Sequence, residues 1–306
     1  MKISIIVSVY NEEQVLHTFY HTLIKVLEEQ KYEYEIIFVN DGSSDSSQDI
    51  IDNFISENSN VKSILFSRNF GHEAAMIAGI DHVTGKMIIC MDSDLQHPPA
   101  IIPEIYNRFV MGNVDIINMV RKELRQNLTS KLFYQILNLI SPYNFEANAS
   151  DFFVISERIA KILRDNYRER VRFLRGFIQI MGFKRTTLDF IAPERKEGKS
   201  KYSFSKLLSL SVTAVATLSK VPLKIGIYLG LISGFFSILL AIYSIIMKII
   251  DQPVSGYTTI VVFLGIMFSI QFIILGIIGE YIGFLFDEQK KRPIYIVDKL
   301  KNFADK

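Results

Sequence analysis

Two stretches without a charged side chain, residues 225–247 and 252–279, constrain this chain more than any other feature. A helix needs roughly 20 apolar residues to cross a bilayer core, and each run exceeds that. The sequence predicts a two-helix transmembrane hairpin over 223–286, followed by a tail over 287–306. Lys220 and Lys224 precede the first run, and Lys290, Lys291 and Arg292 follow the second; only Lys248 and Asp251 lie between the runs. By the positive-inside rule both termini are expected in the cytoplasm, as in a multi-pass protein of the cell (inner) membrane. Glu280, near the inner end of the second run, is either functional or a snorkelling side chain.

Ahead of the hairpin, Phe204, Leu207, Leu208, Leu210, Val212, Val215 and Leu218 alternate with Ser, Thr and Lys. That segment, 203–222, reads as an amphipathic helix at the membrane interface or as a helix packed on the preceding domain. Seven basic residues against Glu197 alone, between Arg195 and Lys224, favour the interface. The apolar fraction of 49% is concentrated in the hairpin, which leaves residues 1–202 to form an ordinary globular domain.

In that first part strand and helix signals alternate. Apolar runs at 4–9, 35–39, 61–66, 87–91 and 115–120 read as strands. Residues 12–29 have helical apolar spacing, as do 74–83 and 101–110, and Ser44 or Asp45 can cap a helix carrying Ile50, Ile51, Phe54 and Ile55. Near-continuous apolar strands separated by helices imply an α/β fold with a mainly parallel sheet covered on both faces. Residues 183–191 alternate weakly, as a further strand would. The first run is too short for the apolar core of a signal peptide and meets Asn11-Glu12-Glu13 at once, so it reads as a buried strand. Cys90 is the only cysteine, which rules out an intrachain disulfide and suits a reducing compartment.

The chemistry gathers in the turns that follow these strands. Asp92-Ser93-Asp94-Leu95-Gln96-His97-Pro98-Pro99 places two carboxylates one residue apart where the fourth strand ends. Hard divalent cations take such oxygen ligands and bridge them to phosphates. Ligands of open α/β sheets gather at the strands' carboxyl ends. The same acids also suit a helix cap, with Pro98-Pro99 fixing the helix start.

Other stretches stand at equivalent places: Ser8-Val9-Tyr10-Asn11-Glu12-Glu13, Val39-Asn40-Asp41-Gly42-Ser43-Ser44-Asp45 and Arg68-Asn69-Phe70-Gly71-His72. Near the membrane come Arg195-Lys196-Glu197-Gly198-Lys199-Ser200-Lys201-Tyr202, then Gly279-Glu280-Tyr281-Ile282-Gly283 and Arg292-Pro293. Together they resemble glycosyltransferase family 2 on a GT-A fold. More narrowly they resemble the membrane-anchored polyprenyl-phosphate glycosyltransferases, relatives of dolichol-phosphate mannose synthase and of bactoprenol glucosyltransferases.

The resemblance implies metal-dependent, inverting transfer from a UDP-sugar to a polyprenyl phosphate at the cytoplasmic membrane face. It implies that Asp41 reads the uracil, that Val9, Tyr10, Asn11 and Glu12 line the nucleoside, and that Arg68 and Asn69 lie near the base or diphosphate. Asp92, Asp94 and Gln96 would hold Mg²⁺ or Mn²⁺. Arg121, Arg195 and Lys201 would face the acceptor phosphate, with Arg125, Lys131 and Lys199 as further cations nearby, and Asp151 would act as a base or orient the acceptor. Self-association is also implied; no nucleic acid partner is expected. Two positions depart from the pattern: His97 stands where many relatives carry Asp, and Ala149-Ser150 replaces a Gly before Asp151.

Among rivals, a processive polysaccharide synthase needs a Trp-containing acceptor motif, and this chain has no Trp. A dinucleotide dehydrogenase needs Gly-x-Gly-x-x-Gly after its first strand, which is missing. The remaining alternative is a non-catalytic, membrane-anchored nucleotide-binding subunit of a glycan assembly complex; the intact Asp92/Asp94 pair argues against it.

Overall fold

Strands β1 (Ile3–Val9) and β2 (Tyr34–Asn40) are buried along their whole length, as sequences apolar on both faces require. The computed structural model describes residues 1–122, 146, 149–169, 174–193, 221–250 and 256–303. The chain divides into two compact units, Met1–Ser203 with Arg292–Lys306, and Phe204–Lys291.

In the first unit, β1 is followed by α1 (Leu16–Glu29), β2, α2 (Ser47–Glu57), β3 (Val61–Phe66), α3 (His72–His82), β4 (Met87–Asp92), α4 (Ile102–Gly112) and β5 (Ile116–Arg121). Then come β6 (Ala149–Ser156), α5 (Glu157–Asn166), α6 (Leu174–Ile180) and β7 (Arg185–Phe190). The sheet order is β7-β5-β6-β4-β1-β2-β3-β8, where β8 is Val297–Lys301. β1 pairs in parallel with both β2 and β4, β2 with β3, and β5 with β7; β6 and β8 pair antiparallel. This is the mainly parallel α/β sheet that the sequence implies.

Each face of the sheet carries its own core. Leu16, Phe19, Leu23 and Leu27 recur at helical spacing along α1 and pack with Phe54 of α2 and Ile105 of α4 against one face. The other face takes α3, whose residues from Ala74 to Ile80 are all buried, together with Ile159 and Leu163 of α5 and Ile178 of α6. α3 lies so close to β1 that a Cβ on Gly79 would stand 2.2 Å from Ile6 Cγ2.

The structure departs from the sequence pattern in two places. α1 starts at Leu16 rather than near Glu12: Asn11, at φ 54°, turns the chain, and the amides of Glu12 and Glu13 donate to Ser47 Oγ and Asp45 Oδ2 of the neighbouring turn. The tail after the hairpin forms β8, an antiparallel edge strand on β3. Lys301 Nζ donates to Asp52 Oδ2 at 2.6 Å, and Asn302 Nδ2 to the carbonyl oxygens of Ser59 and Val61.

The second unit contains α7 (Val221–Ile249) and α8 (Tyr257–Gln289). Both are long and apolar enough to cross a membrane, and almost none of their apolar surface is buried within the structure. At their contact, a Cβ on Gly226 would lie 3.3 Å from Ile274. The interfacial segment expected over 203–222 falls, apart from its last two residues, outside the described residues.

At the amino ends of the strands, Glu35 is 1% exposed and fully engaged. Ser4 Oγ, the Thr84 amide and hydroxyl, and the ammonium groups of Lys2 and Lys62 all donate to it. Burial alone would push its carboxyl up, but the hydrogen bonds from Lys62, Ser4 and Thr84 outweigh that and lower it from 4.5 to about 2. A folded-state value below the unfolded one stabilises the fold above about pH 4.5, and this contribution is lost as pH falls toward 2. Glu35→Gln is therefore expected to cost about 3 kcal/mol at neutral pH by leaving two lysines uncompensated. Denaturation of the detergent-solubilised protein should show that gap narrowing below pH 4.5.

Candidate active site

The chain runs from β1 outward to β2 and β3, then returns to place β4 on the other side of β1. That reversal opens a crevice at the carboxyl ends of β1 and β4, where ligands of such sheets bind. The register sets Ser8 beside Asp92 and Val9 beside Asn40, so the turns after these strands start level.

Those turns are tied to one another. Asn11, at φ 54°, accepts from the Ser44 amide through Oδ1 at 2.8 Å and donates its own amide to Ser43 Oγ at 3.0 Å. Glu13 Oε2 accepts from the Ser46 amide, and Asp45 Oδ1 from the Ser47 amide. Asp41, 2% exposed, accepts from the Phe70 and Gly71 amides at 2.6 and 2.9 Å, fixing the entry to α3. Gly42 is required in this packing: its φ is +68°, and a Cβ would stand 2.5 Å from the Arg68 backbone. Val9 is buried, while Tyr10, Arg68 and Asn69 are exposed at the rim.

Asp92 is bracketed by two histidines. His97 Nδ1 accepts the Asp92 amide at 2.9 Å, so the ring's proton sits on Nε2, and the ring stacks on Phe152 with centroids 4.9 Å apart. His72 Nδ1 lies 3.3 Å from Asp92 Oδ1 and 3.1 Å from Ser8 Oγ. Ser93 Oγ closes the loop onto the Ser8 carbonyl. Leu95, at φ 62°, turns the backbone so that Asp94 Oδ1 accepts from the Gln96 amide at 3.1 Å. Arg121, at the end of β5, donates to Gln96 Oε1 at 3.4 Å.

Asp151 enters on β6. The β4–β6 register pairs Cys90 with Phe153, two residues short of both acids, and Asp92 and Asp151 both act on His72. Arg175 Nη1 stands 3.7 Å from Asp151 Oδ1. Burial would push the Asp151 carboxyl up, but the Arg175 guanidinium, with His72 adding to it, outweighs that and holds it below the usual carboxylate range. Burial and the Asp151 charge push Glu73 up, while its Oε2 accepts the Leu174 amide at 3.2 Å. Burial would lower His72, but Asp92, Asp151, Glu73 and Asp41 together raise it.

The structure places Val9, Tyr10, Asn11, Glu12, Asp41, Asp92, Asp94, Gln96, Arg121 and Asp151 on the side of the sheet where β1, β2, β4 and β5 end, with Arg68 and Asn69 farther out, beyond the end of β3. Arg195 and Lys201, like Arg125, Lys131 and Lys199, lie outside the described residues. Sequence reasoning assigned no role to His72, His97, Glu73 or Arg175. Gly71-His72 closes a quoted motif, but only the folded chain brings its ring to Ser8 and Asp92.

Asp92, Asp94 and the Gln96 amide offer hard oxygen donors of the kind Mg²⁺ and Mn²⁺ take. Among the described residues no three His, Cys, Asp or Glu side chains form a metal cage. With Asp92 and Asp94 as its acids, the donor set fits a cation whose shell a substrate would complete.

Comparison with known proteins agrees with this geometry. The family described as "Glycosyl transferase family 2" matches residues 4–163. The chain is 34% identical to a prophage bactoprenol glucosyl transferase homolog of Escherichia coli over 98% of its own length and 100% of that protein. It is also 34% identical to the bactoprenol glucosyl transferase of Shigella phage SfX, with the same coverage, and 35% identical to glycosyltransferase YkcC of Bacillus subtilis over 99% and 95% of the two chains. Among solved structures, glucosyl-3-phosphoglycerate synthase of Mycobacterium tuberculosis, in complex with Mn²⁺, UDP and phosphoglyceric acid, shares the fold. Its TM-score is 0.50 at 15% identity, covering 71% of this chain and 77% of that one. The chain belongs to glycosyltransferase family 2, with relatives among the bactoprenol glucosyl transferases, and it is an enzyme of that class on a GT-A-like fold.

The bond from the Asp92 amide to His97 yields a prediction. His97→Ala removes the acceptor and the ring that packs on Phe152, and is expected to slow glycosyl transfer about 10- to 100-fold. His97→Asp, which restores an acceptor at that place, should recover much of the loss, both variants being read by transfer of radiolabelled sugar to lipid.

Proposed function

We propose that this enzyme transfers a hexosyl group from a UDP-sugar to a polyprenyl phosphate, with Mg²⁺ or Mn²⁺ held by Asp92, Asp94 and Gln96. The single observation that carries this reading is the placement of the Asp92/Asp94 turn in the crevice between β1 and β4, with Asp151 and Arg121 beside it. The relatives named for bactoprenol support the acceptor. The UDP bound with Mn²⁺ in glucosyl-3-phosphoglycerate synthase, which shares the fold, agrees with the donor. The helices α7 and α8 would form a membrane hairpin that keeps residues 1–202 and 287–306 on the cytoplasmic side, where nucleotide sugars are found.

The reaction breaks the bond between the anomeric carbon and the UDP oxygen and forms one to a phosphate oxygen of the acceptor. Attack opposite the departing UDP inverts the anomeric configuration. A phosphate monoester has a second pKa of about 6, so near neutral pH the acceptor is a dianion that needs no strong base. Approach of two anions is then the main barrier, and charge placement lowers it. The cation, when bound, neutralises charge on the departing diphosphate. Arg121 orients Gln96 and presents a guanidinium to the incoming phosphate. Asp151, held ionised, would repel a dianion in direct contact; it suits holding Arg175 and His72 in place better than taking a proton. Asn11 and Asp41 fix the turns that line the nucleoside.

Membranes containing this protein should convert a UDP-sugar and polyprenyl phosphate to a lipid-linked sugar, identified by mass across a panel of donors. EDTA should abolish the product and Mn²⁺ or Mg²⁺ restore it. Asp94→Ala should lower the rate at least about 100-fold, matching several kcal/mol of lost charge stabilisation. Undiminished transfer in EDTA would remove the metal from the scheme. Absence of product with every donor would overturn the function.

A further inference from the structure

A second feature lies two strands away from the crevice, at the carboxyl end of β3. A cleft of about 440 Å³ is walled by residues 68–71 on one side and by Arg292, Pro293, Ile294 and Ile296 on the other. Both walls are fixed. The Ser67 amide donates to the Ile296 carbonyl at 3.0 Å, Phe66 pairs with Val297, and Tyr295 stacks on Phe66 with centroids 5.1 Å apart. The Tyr295 hydroxyl donates to Asp81 Oδ2 at 2.7 Å. Arg68 lies over the Phe70 ring at 3.9 Å and donates one N–H to the Asn69 carbonyl, which holds its guanidinium at the mouth.

Two guanidinium groups line this cleft and no acid does. Among the described residues Arg292 has no ion pair. The Phe70 and Gly71 amides are already taken by Asp41, so the arginines and the Asn69 amide remain to meet a ligand. Paired arginines over an apolar floor match a phosphate group whose substituent is apolar.

We infer that this cleft binds the phosphate of a membrane lipid, with Arg292 as the residue that holds it. The inference rests on the reading of α8 as a membrane span. Arg292 follows Gln289, the last residue of α8, by three positions, and three residues reach no more than about 10 Å. That keeps Arg292 within about 10 Å of the end of α8, and basic side chains that follow a span are drawn to lipid phosphates. The donor crevice opens between β1 and β4, and β2 separates β1 from β3. With strands about 4.8 Å apart, the cleft mouth is roughly 10 Å from the donor crevice. The phosphate belongs either to a bilayer phospholipid or to a polyprenyl acceptor held here before it moves to Arg121 at the donor crevice, and the experiment separates the two.

Full-length protein and its Arg292→Gln and Arg292→Lys variants would be compared in nanodiscs of phosphatidylcholine alone and with added phosphatidylglycerol. The readouts are farnesyl phosphate binding, UDP binding in Mn²⁺, thermal midpoint and transfer rate. An acceptor site predicts that Arg292→Gln weakens farnesyl phosphate binding about tenfold in phosphatidylcholine, the loss of one charge-assisted hydrogen bond. UDP affinity and thermal midpoint should be unchanged and Arg292→Lys intermediate. A phospholipid site predicts instead that phosphatidylglycerol stimulates the wild type and Arg292→Lys but not Arg292→Gln. Unchanged behaviour of Arg292→Gln in every readout would overturn the inference. So would weakened UDP binding at an unchanged thermal midpoint, which would assign the cleft to the donor. If the wild type transferred no sugar, the proposed function would fail, while farnesyl phosphate binding and the thermal midpoint with and without phosphatidylglycerol would still report on the cleft.

Discussion

β1 is enclosed on both edges by parallel neighbours, and the remaining features follow from that pairing. Seven buried residues without polar side chains except Ser4 and Ser8 can satisfy their backbone groups only through β2 and β4. Parallel neighbours on both sides force the chain to reverse its direction of winding, and the reversal leaves a crevice between the ends of β1 and β4. Level registers then bring Ser8, Asp92, Val9 and Asn40 to one line, so that three turns from distant sequence share a wall. Gly79 permits α3 to lie directly over β1, which in turn sets His72 at the crevice mouth.

The two ends of the strands differ in electrostatics. At the amino ends Glu35 has every oxygen engaged and two lysines beside it, a closed arrangement that serves stability. At the carboxyl ends Asp92, Asp94, Asp151 and Glu73 crowd together, with burial and mutual repulsion pushing Glu73 up. His72 Nε2 is buried there without a hydrogen-bond partner among the described residues. An excess of half-buried acids costs stability, and perturbed groups of this kind concentrate at functional sites. A divalent cation and a diphosphate would complete what the protein leaves open.

Much of this was legible in the sequence for a physical reason. Strands buried on both faces are written as continuous apolar runs, so β1 to β5 were evident and β3 matched residue for residue. The acids, Asn11 and Arg68 were legible because turns at the carboxyl ends of such strands carry chemistry. His72 and His97 were not, because their roles arise from contacts with Ser8, Asp92 and Phe152 that no local pattern encodes. β8 was hidden differently. Val297-Asp298-Lys299-Leu300-Lys301 is half charged, as an edge strand tolerates, and its place is fixed by pairing with β3 and by Lys301 and Asn302. The two helices of the second unit were the plainest feature, since a charge-free run of that length has few other uses.

The account centres on Asp92 and Asp94 as a partial cation site completed by a nucleoside diphosphate. Calorimetric titration of UDP into the detergent-solubilised protein, with Mn²⁺ or with EDTA, tests it most directly. Binding in Mn²⁺ that weakens at least tenfold in EDTA and in Asp92→Ala, with the thermal midpoint of the variant unchanged, is the result expected. UDP binding of equal affinity with and without the metal, or undisturbed by Asp92→Ala, would contradict it.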